Sequence, residues 1–133
     1  MASIRREIGI ARPAASVWDA LRDVGALHTR LVAGFVTDCR LEGDSRIVTF
    51  ANGMSVRELI VDVGDEDKRV AWSAVGGRLT HHNASAQVFP VTADSCRVVW
   101  VADLLPNEMA PAIAGMIEQG LAAMKRTLES ASA

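Results

Sequence analysis

Hydrophobic and polar positions change period along this chain, and each change marks an element. Ile4, Ile8 and Ile10 share one parity while Arg5 and Glu7 take the other, the alternation of a half-buried strand over residues 3–10. Arg6 interrupts the apolar face, which places this strand near an edge or end of its sheet. Pro13 stops it. Over residues 14–23 the spacing turns helical, with Val17, Trp18 and Leu21 on the apolar side, and Gly25 breaks it. Two starts fit: Ser16 as cap, or Pro13 as the first helical residue. Residues 26–31 allow another short helical turn.

Period two then takes over. Phe35, Thr37, Cys39 and Leu41 stand opposite Asp38, Arg40 and Glu42, and Gly43-Asp44-Ser45 is a turn. A strand over 46–51 closes at Asn52-Gly53, a strong hairpin signal because both residues tolerate positive φ. Strands over 54–63, 69–75, 79–91 and 96–105 follow, separated by the charged turn 64–68, by Gly76-Gly77 and by the turn 92–95. Such short connections join antiparallel neighbours, because parallel ones need crossovers. The reading is a six-stranded meander.

The last stretch, residues 106–130, returns to helical spacing. Met109, Ile113, Met116, Ile117, Leu121, Met124 and Leu128 recur at steps of three and four. Glu118, Gln119, Lys125, Arg126 and Glu129 take the other side. Gly115 and Gly120 cost about 1 kcal/mol each relative to Ala. Burying each large apolar side chain contributes roughly 1.5–3 kcal/mol as an upper estimate, so packing wins. The helix starts either with Asn107 as N-cap or with Pro111 as first residue. A twisted sheet of this size curls, and one helix laid in its concave face buries both apolar surfaces. The expected class is α+β: a curved antiparallel sheet wrapped around a long C-terminal helix, one domain over residues 1–133.

Composition narrows the function. Half the residues are hydrophobic and the net charge is −2, which argues against disorder and against a polyanion partner. There is no tyrosine to build a base-stacking platform, so no nucleic acid is expected. No apolar run is long enough for stable membrane insertion. Cys39 and Cys96 sit far apart and read as buried free thiols, which suits a cytoplasmic protein. No cofactor is implied. Of the histidines His28, His81 and His82, no two have the helical spacing of a zinc pair, and His81 and His82 point to opposite faces of a strand, so no metal is expected.

The element order resembles the helix-grip fold of the START and birch-pollen-allergen superfamily (SRPBCC), and within it the bacterial polyketide cyclase/dehydrase-like branch. The carrying residues are the opening PAASVWDALRD from Pro13 to Asp23, SRIVTFANGMSVREL from Ser45 to Leu59, CRVVWVADLLP from Cys96 to Pro106 and GLAAMKRTL from Gly120 to Leu128. The resemblance implies a ligand cavity between sheet and helix, holding a lipid, steroid, hormone or polyketide. It implies catalysis of cyclisation or dehydration only in a minority of members.

The leading expectation is therefore a small apolar or amphipathic ligand. Its wall would include Phe35, Phe50, Trp72, Trp100, Met116 and Gly120, with Glu58 and His82 as polar contacts. Glu58 shares parity with Met54, Val56 and Ile60, among apolar neighbours. Hairpin pairing about Asn52-Gly53 sets Arg46 near Leu59, diagonal to Glu58. Gly120 either packs against the sheet or leaves room for a ligand. The alternatives are an enzyme of the polyketide cyclase, aromatase or dehydratase kind, with Glu58 first and His82 second as acid or base, and a protein-interaction module without ligand. If the Trp100 face is inward, Val99 and Val101, extended by Val61 and Val63, form an outer patch for a weak homodimer; otherwise the chain is a monomer.

Overall fold

The structure is a computed structural model, and it describes residues 1–130. Strand β1 (Ala2–Ile10) is followed by helix α1 (Ala14–Leu21) and a π-helical turn (Leu27–Leu31). The meander is β2 (Val36–Glu42), β3 (Ser45–Phe50), β4 (Ser55–Gly64), β5 (Arg69–Val75), β6 (His81–Thr92) and β7 (Ser95–Leu105). A 3-10 turn (Asn107–Met109) leads into helix α2 (Ala110–Ser130). All strands join one antiparallel sheet in the order β1-β7-β6-β5-β4-β3-β2. β1 lies at an edge, as the Arg6 interruption of its apolar face predicts. The fold is the α+β helix grip.

The concave face of the sheet and the apolar stripe of α2 form the core. Val98, Ala102 and Leu104 of β7 are buried with Ala84, Ala86 and Val88 of β6, against Ile117, Leu121, Met124 and Leu128 of α2. The polar side of α2 ties it to β1. Arg6 pairs with Glu118 at 3.2 Å, Lys125 donates to the Gly9 carbonyl at 3.1 Å, and the Ala11 amide donates to Glu129 at 2.8 Å. Exposed links of this kind contribute little each; they fix where the helix lies along the edge strand.

Several local expectations are corrected. Pro13 is the N-cap of α1, its carbonyl accepting from the Ser16 and Val17 amides, so neither a Ser16 cap nor a helical Pro13 describes the start. Pro111 is the second residue of α2, in the first turn, where its missing N–H is harmless. Phe35 precedes β2, and a bulge between Val36 and Asp38 puts Val36 and Cys39 inside while Thr37 is exposed. Leu41 is 60% exposed.

The turn after β3 is longer than a two-residue hairpin. Thr49 pairs with Ser55, and the Asn52 side chain accepts from the Met54 amide inside the loop. The register moves by one residue, and Arg46 lies directly opposite Glu58. A second bulge, between Ile60 and Asp62, turns Val63 onto the core while Val61 stays exposed.

The Trp100 face of β7 is inward, but Val99 on the other face is only 6% exposed. Its partners in register, Glu7 and Gln87, are long, and Arg5 and Arg97 hold Glu7 at 3.2 and 3.4 Å. The outer valine patch expected of a homodimer is therefore absent at Val99. Among the described residues, no helix is long and apolar enough to cross a membrane.

The two helix glycines separate sharply. A Cβ on Gly120 would lie 2.8 Å from Trp100 Cζ3 and 3.3 Å from Phe35 Cε2, whereas one on Gly115 meets nothing within 4 Å. Gly115→Ala should therefore raise stability by about 1 kcal/mol. Gly120→Ala gains the same propensity but overpacks, at roughly 1–3 kcal/mol, and should come out destabilising by about 1 kcal/mol. Urea unfolding of both variants checks the pair; equal and positive shifts would show that the helix does not press on Trp100.

Candidate functional site

Antiparallel pairing carries one row of concave-face positions across the sheet. Leu41 pairs with Arg46, Arg46 with Glu58 and Glu58 with Ala74. Extending the β5–β6 register from Trp72 and Ala84 sets Ala74 level with His82, which pairs with Leu104. The row carries three ionisable side chains in an otherwise apolar surface.

Arg46 and Glu58 are in contact. Arg46 Nε donates to Glu58 Oε1 at 2.7 Å, and the two side chains are 4% and 12% exposed. Arg46 Nη1 also donates to the Val24 carbonyl at 3.2 Å, in the segment between α1 and the π-helical turn. Its guanidinium lies over the Trp72 ring, 5.3 Å from the centroid. Trp72 meets Trp100 edge to face at 5.6 Å, and Phe35 meets Phe50 the same way at 5.4 Å. Gly120 touches both Trp100 and Phe35, which joins the two aromatic pairs. Five of the six expected wall residues thus form one connected cluster. Met116 is partly buried one helical turn before Gly120. The room that glycine was weighed for is taken by Trp100.

His82 stands apart from this cluster, with the Ala74 backbone between it and Glu58. Its Nδ1 accepts from the Ala74 amide at 2.9 Å, and the Ser73 hydroxyl donates to its carbonyl. An accepting Nδ1 leaves the neutral ring's proton on Nε2. Burial, and secondarily the nearby His81, lower the His82 pKa, so the ring is neutral at pH 7. An opening of about 480 Å³ lies beside it, lined by Ser73, Thr80, His81, His82 and Asp103 among others. A second recess of about 370 Å³ lies between α1, the π-helical turn and the end of α2, around Ser16, Asp19, Thr29 and Thr127.

Cys39 and Cys96 are buried, unpaired thiols, and burial raises the pKa of both. Among the described residues, no three His, Cys, Asp or Glu side chains are placed to hold a metal ion. Sequence reasoning missed the direct Arg46–Glu58 contact and the Ser73–Ala74–His82 bridge. Pairing counted about Asn52-Gly53 set Arg46 near Leu59, but the longer turn moves the register by one residue. Nothing in the sequence signals that β5 and β6 part beyond Trp72. His28 Nδ1 is likewise a surprise: it is buried without a hydrogen-bond partner.

Comparison with known proteins follows the fold. The family described as polyketide cyclase / dehydrase and lipid transport matches residues 1–129. An uncharacterised protein from Bacillus thuringiensis has a TM-score of 0.85 at 18% identity, over 96% of this chain and 98% of its own. Norcoclaurine synthase from Thalictrum flavum, solved as a point mutant, has a TM-score of 0.72 at 23% identity, over 96% of this chain and 91% of its own. A START superfamily protein from Mycobacterium smegmatis has a TM-score of 0.73 at 11% identity, over 96% and 94%. No curated relative matches the sequence. At these identities the solved structures speak for the fold alone. With 129 of its 133 residues matched, the chain belongs to the polyketide cyclase / dehydrase and lipid transport family, a branch of the helix-grip superfamily.

Proposed function

We propose that the protein binds a small apolar or amphipathic molecule on its concave face. The aromatic cluster of Phe35, Phe50, Trp72 and Trp100 would form the apolar wall, beneath Met116 and Gly120. The Arg46–Glu58 pair would anchor the ligand's polar end. The observation that carries the reading is that pair's burial. Removing two charges from water costs several kcal/mol per ion, and their attraction rarely returns more than that. A well-packed apolar pair at the same two positions would serve the fold equally well. Charges kept there instead give an apolar surface one polar, orienting point, the usual composition of a small-molecule site. The family's range, from lipid transport to cyclisation, is compatible with such a site. Two unpaired buried thiols fit work in the reducing cytoplasm.

Catalysis is the second reading. Its support is that Glu58 and His82 share one cross-strand row, two strands apart, with the Ala74 backbone between them. A ligand lying along Ala74 would touch a carboxylate at one end and an imidazole at the other, an arrangement suited to proton transfer beside a carbonyl. Turnover of a polyketide-like substrate with a bell-shaped pH profile, lost in a folded Glu58→Gln variant, would establish this reading in place of simple binding.

Two measurements test the binding reading. Native mass spectrometry of protein purified from its source, joined to thermal shift across lipid-sized apolar compounds, should find a saturable ligand. At a hundredfold excess over Kd the stabilisation should be about 2.7 kcal/mol. No shift across a broad apolar library would count decisively against it. The second separates anchor from scaffold. Glu58→Ala leaves Arg46 buried without its carboxylate and should cost roughly 3–5 kcal/mol. The double variant Arg46→Met, Glu58→Leu should fold about as stably as the parent, or up to roughly 4 kcal/mol more so, yet lose the ligand. If the double variant keeps full affinity, the pair is scaffold and not anchor.

A further inference from the structure

Strands β5 and β6 separate before either one ends. Their ladder runs from Arg69–Gln87 to Trp72–Ala84 and stops there. Yet β5 continues to Val75, and β6 already begins at His81. Beyond the last rung, two side-chain bonds replace the missing backbone ones. Both end on His82: the Ser73 hydroxyl reaches its carbonyl, and the Ala74 amide reaches its Nδ1 at 2.9 Å. The connecting loop holds Gly76 and Gly77 at φ 87° and 72°, a left-handed pair that larger side chains disfavour. The opening of about 480 Å³ lies at this parted end. The last rung before it is Trp72–Ala84, whose Trp72 belongs to the aromatic cluster, and Ala74 in its lining is the register partner of Glu58.

We propose that this gap is the route by which ligand reaches the concave site, and that the His82 imidazole is its proton-released latch. The proposal rests on the binding reading above. The neutral ring closes the gap because Nδ1 can accept from the Ala74 amide. Protonation places a second N–H on that nitrogen, facing the amide's own N–H. Two donors cannot bond, so the ring must turn away and the amide must find water. The Ser73 bond to the His82 carbonyl does not titrate, and it keeps the strands in register while the gap widens.

The groups around the ring set the direction. His81 precedes it on β6 and disfavours a second positive charge. On β5 the facing residues, Ser73 and Ala74, carry no charge. On β7, Leu104 is its partner, and Asp103 lines the opening beside it. Glu58 of β4 is one strand beyond Ala74 and already engages Arg46. Arg78 lies in the connecting loop, and Glu108 is exposed on the 3-10 turn after β7. Burial dominates and lowers the pKa of the closed state. The open state should titrate near the ordinary value of about 6.5. The closed form therefore holds its full advantage above about 6.5 and loses it as pH falls towards the lowered value.

Amide hydrogen exchange read by NMR, at constant ionic strength and corrected for intrinsic exchange chemistry, tests the latch without any ligand. In the parent, the opening constant at Ala74 should be flat above about pH 6.5 and rise on the order of tenfold per pH unit below it, the slope of one linked proton. His82→Asn puts Oδ1 where Nδ1 was, an acceptor that does not titrate, and should give a flat profile. His82→Ala should exchange fast at every pH. Should the alanine variant not fold, the parent against the asparagine variant decides alone. The same pH dependence in parent and His82→Asn would overturn the latch.

Stopped-flow association of 1-anilinonaphthalene-8-sulfonate tests the route. Its on-rate should follow the Ala74 profile in the parent and stay flat in His82→Asn. An on-rate indifferent to both would overturn the gap as the way in, even with the latch intact. Failure of the probe to bind any variant would sink the binding reading instead, leaving the latch to be judged by exchange alone.

Discussion

The contact on which the fold turns is that of the Gly120 backbone with the edges of Trp100 and Phe35. A bare helix surface lets two aromatic rings lie under α2 at a distance no side chain would allow. Trp100 then reaches Trp72 in the middle of the sheet, and Phe35 reaches Phe50 at the β3 turn. One glycine thus connects the helix with residues from four separate stretches of chain. The edge pairs with β1 only trim the position of the helix. Rings of this size bury 150–250 Å² each, far more than exposed ion pairs contribute, so the aromatic seat dominates.

With the rings seated, the remaining polar side chains of the concave face are forced into few places. Arg46 survives burial because three different groups meet it: a carboxylate, a backbone carbonyl and an indole face. His82 sits where the sheet parts, and its acceptor nitrogen fills the role that a backbone carbonyl plays elsewhere in the ladder. The same row therefore contains a charged pair, Arg46 with Glu58, held by its neighbours and one neutral group that holds its neighbours. That asymmetry gives the face a fixed end and an adjustable end. A fold shared by transporters and cyclases leaves such details to vary, and function has to be argued from them.

The outer surface shows the opposite economy. Val99 is nearly buried on the outer face, where its partners in register are the long residues Glu7 and Gln87. A strand residue's exposure depends on the reach of adjacent side chains as much as on the face it occupies. Counting parity alone overstates the apolar area a sheet presents to a partner.

Periodicity by itself determined the architecture. Alternation, short turns and the one long stripe of three-and-four spacing placed every element within a few residues, because amphipathic period is a local property of the chain. The apolar company of Glu58, with Met54, Val56 and Ile60 on its parity, was legible for the same reason. Register was not. A single residue in the loop after β3 decides whether Glu58 meets Arg46 or its neighbour, and bulges at Val36–Asp38 and Ile60–Asp62 reverse parity without any sequence mark. The difference between Gly115 and Gly120 was equally invisible, since both are small residues in one helix. Only packing shows that one faces open space and the other two rings. The parting of β5 from β6, and with it the role of His82, comes from sheet curvature and hydrogen-bond completion across strands. Those are properties of the assembled sheet, because each bond needs a partner that the local sequence does not contain.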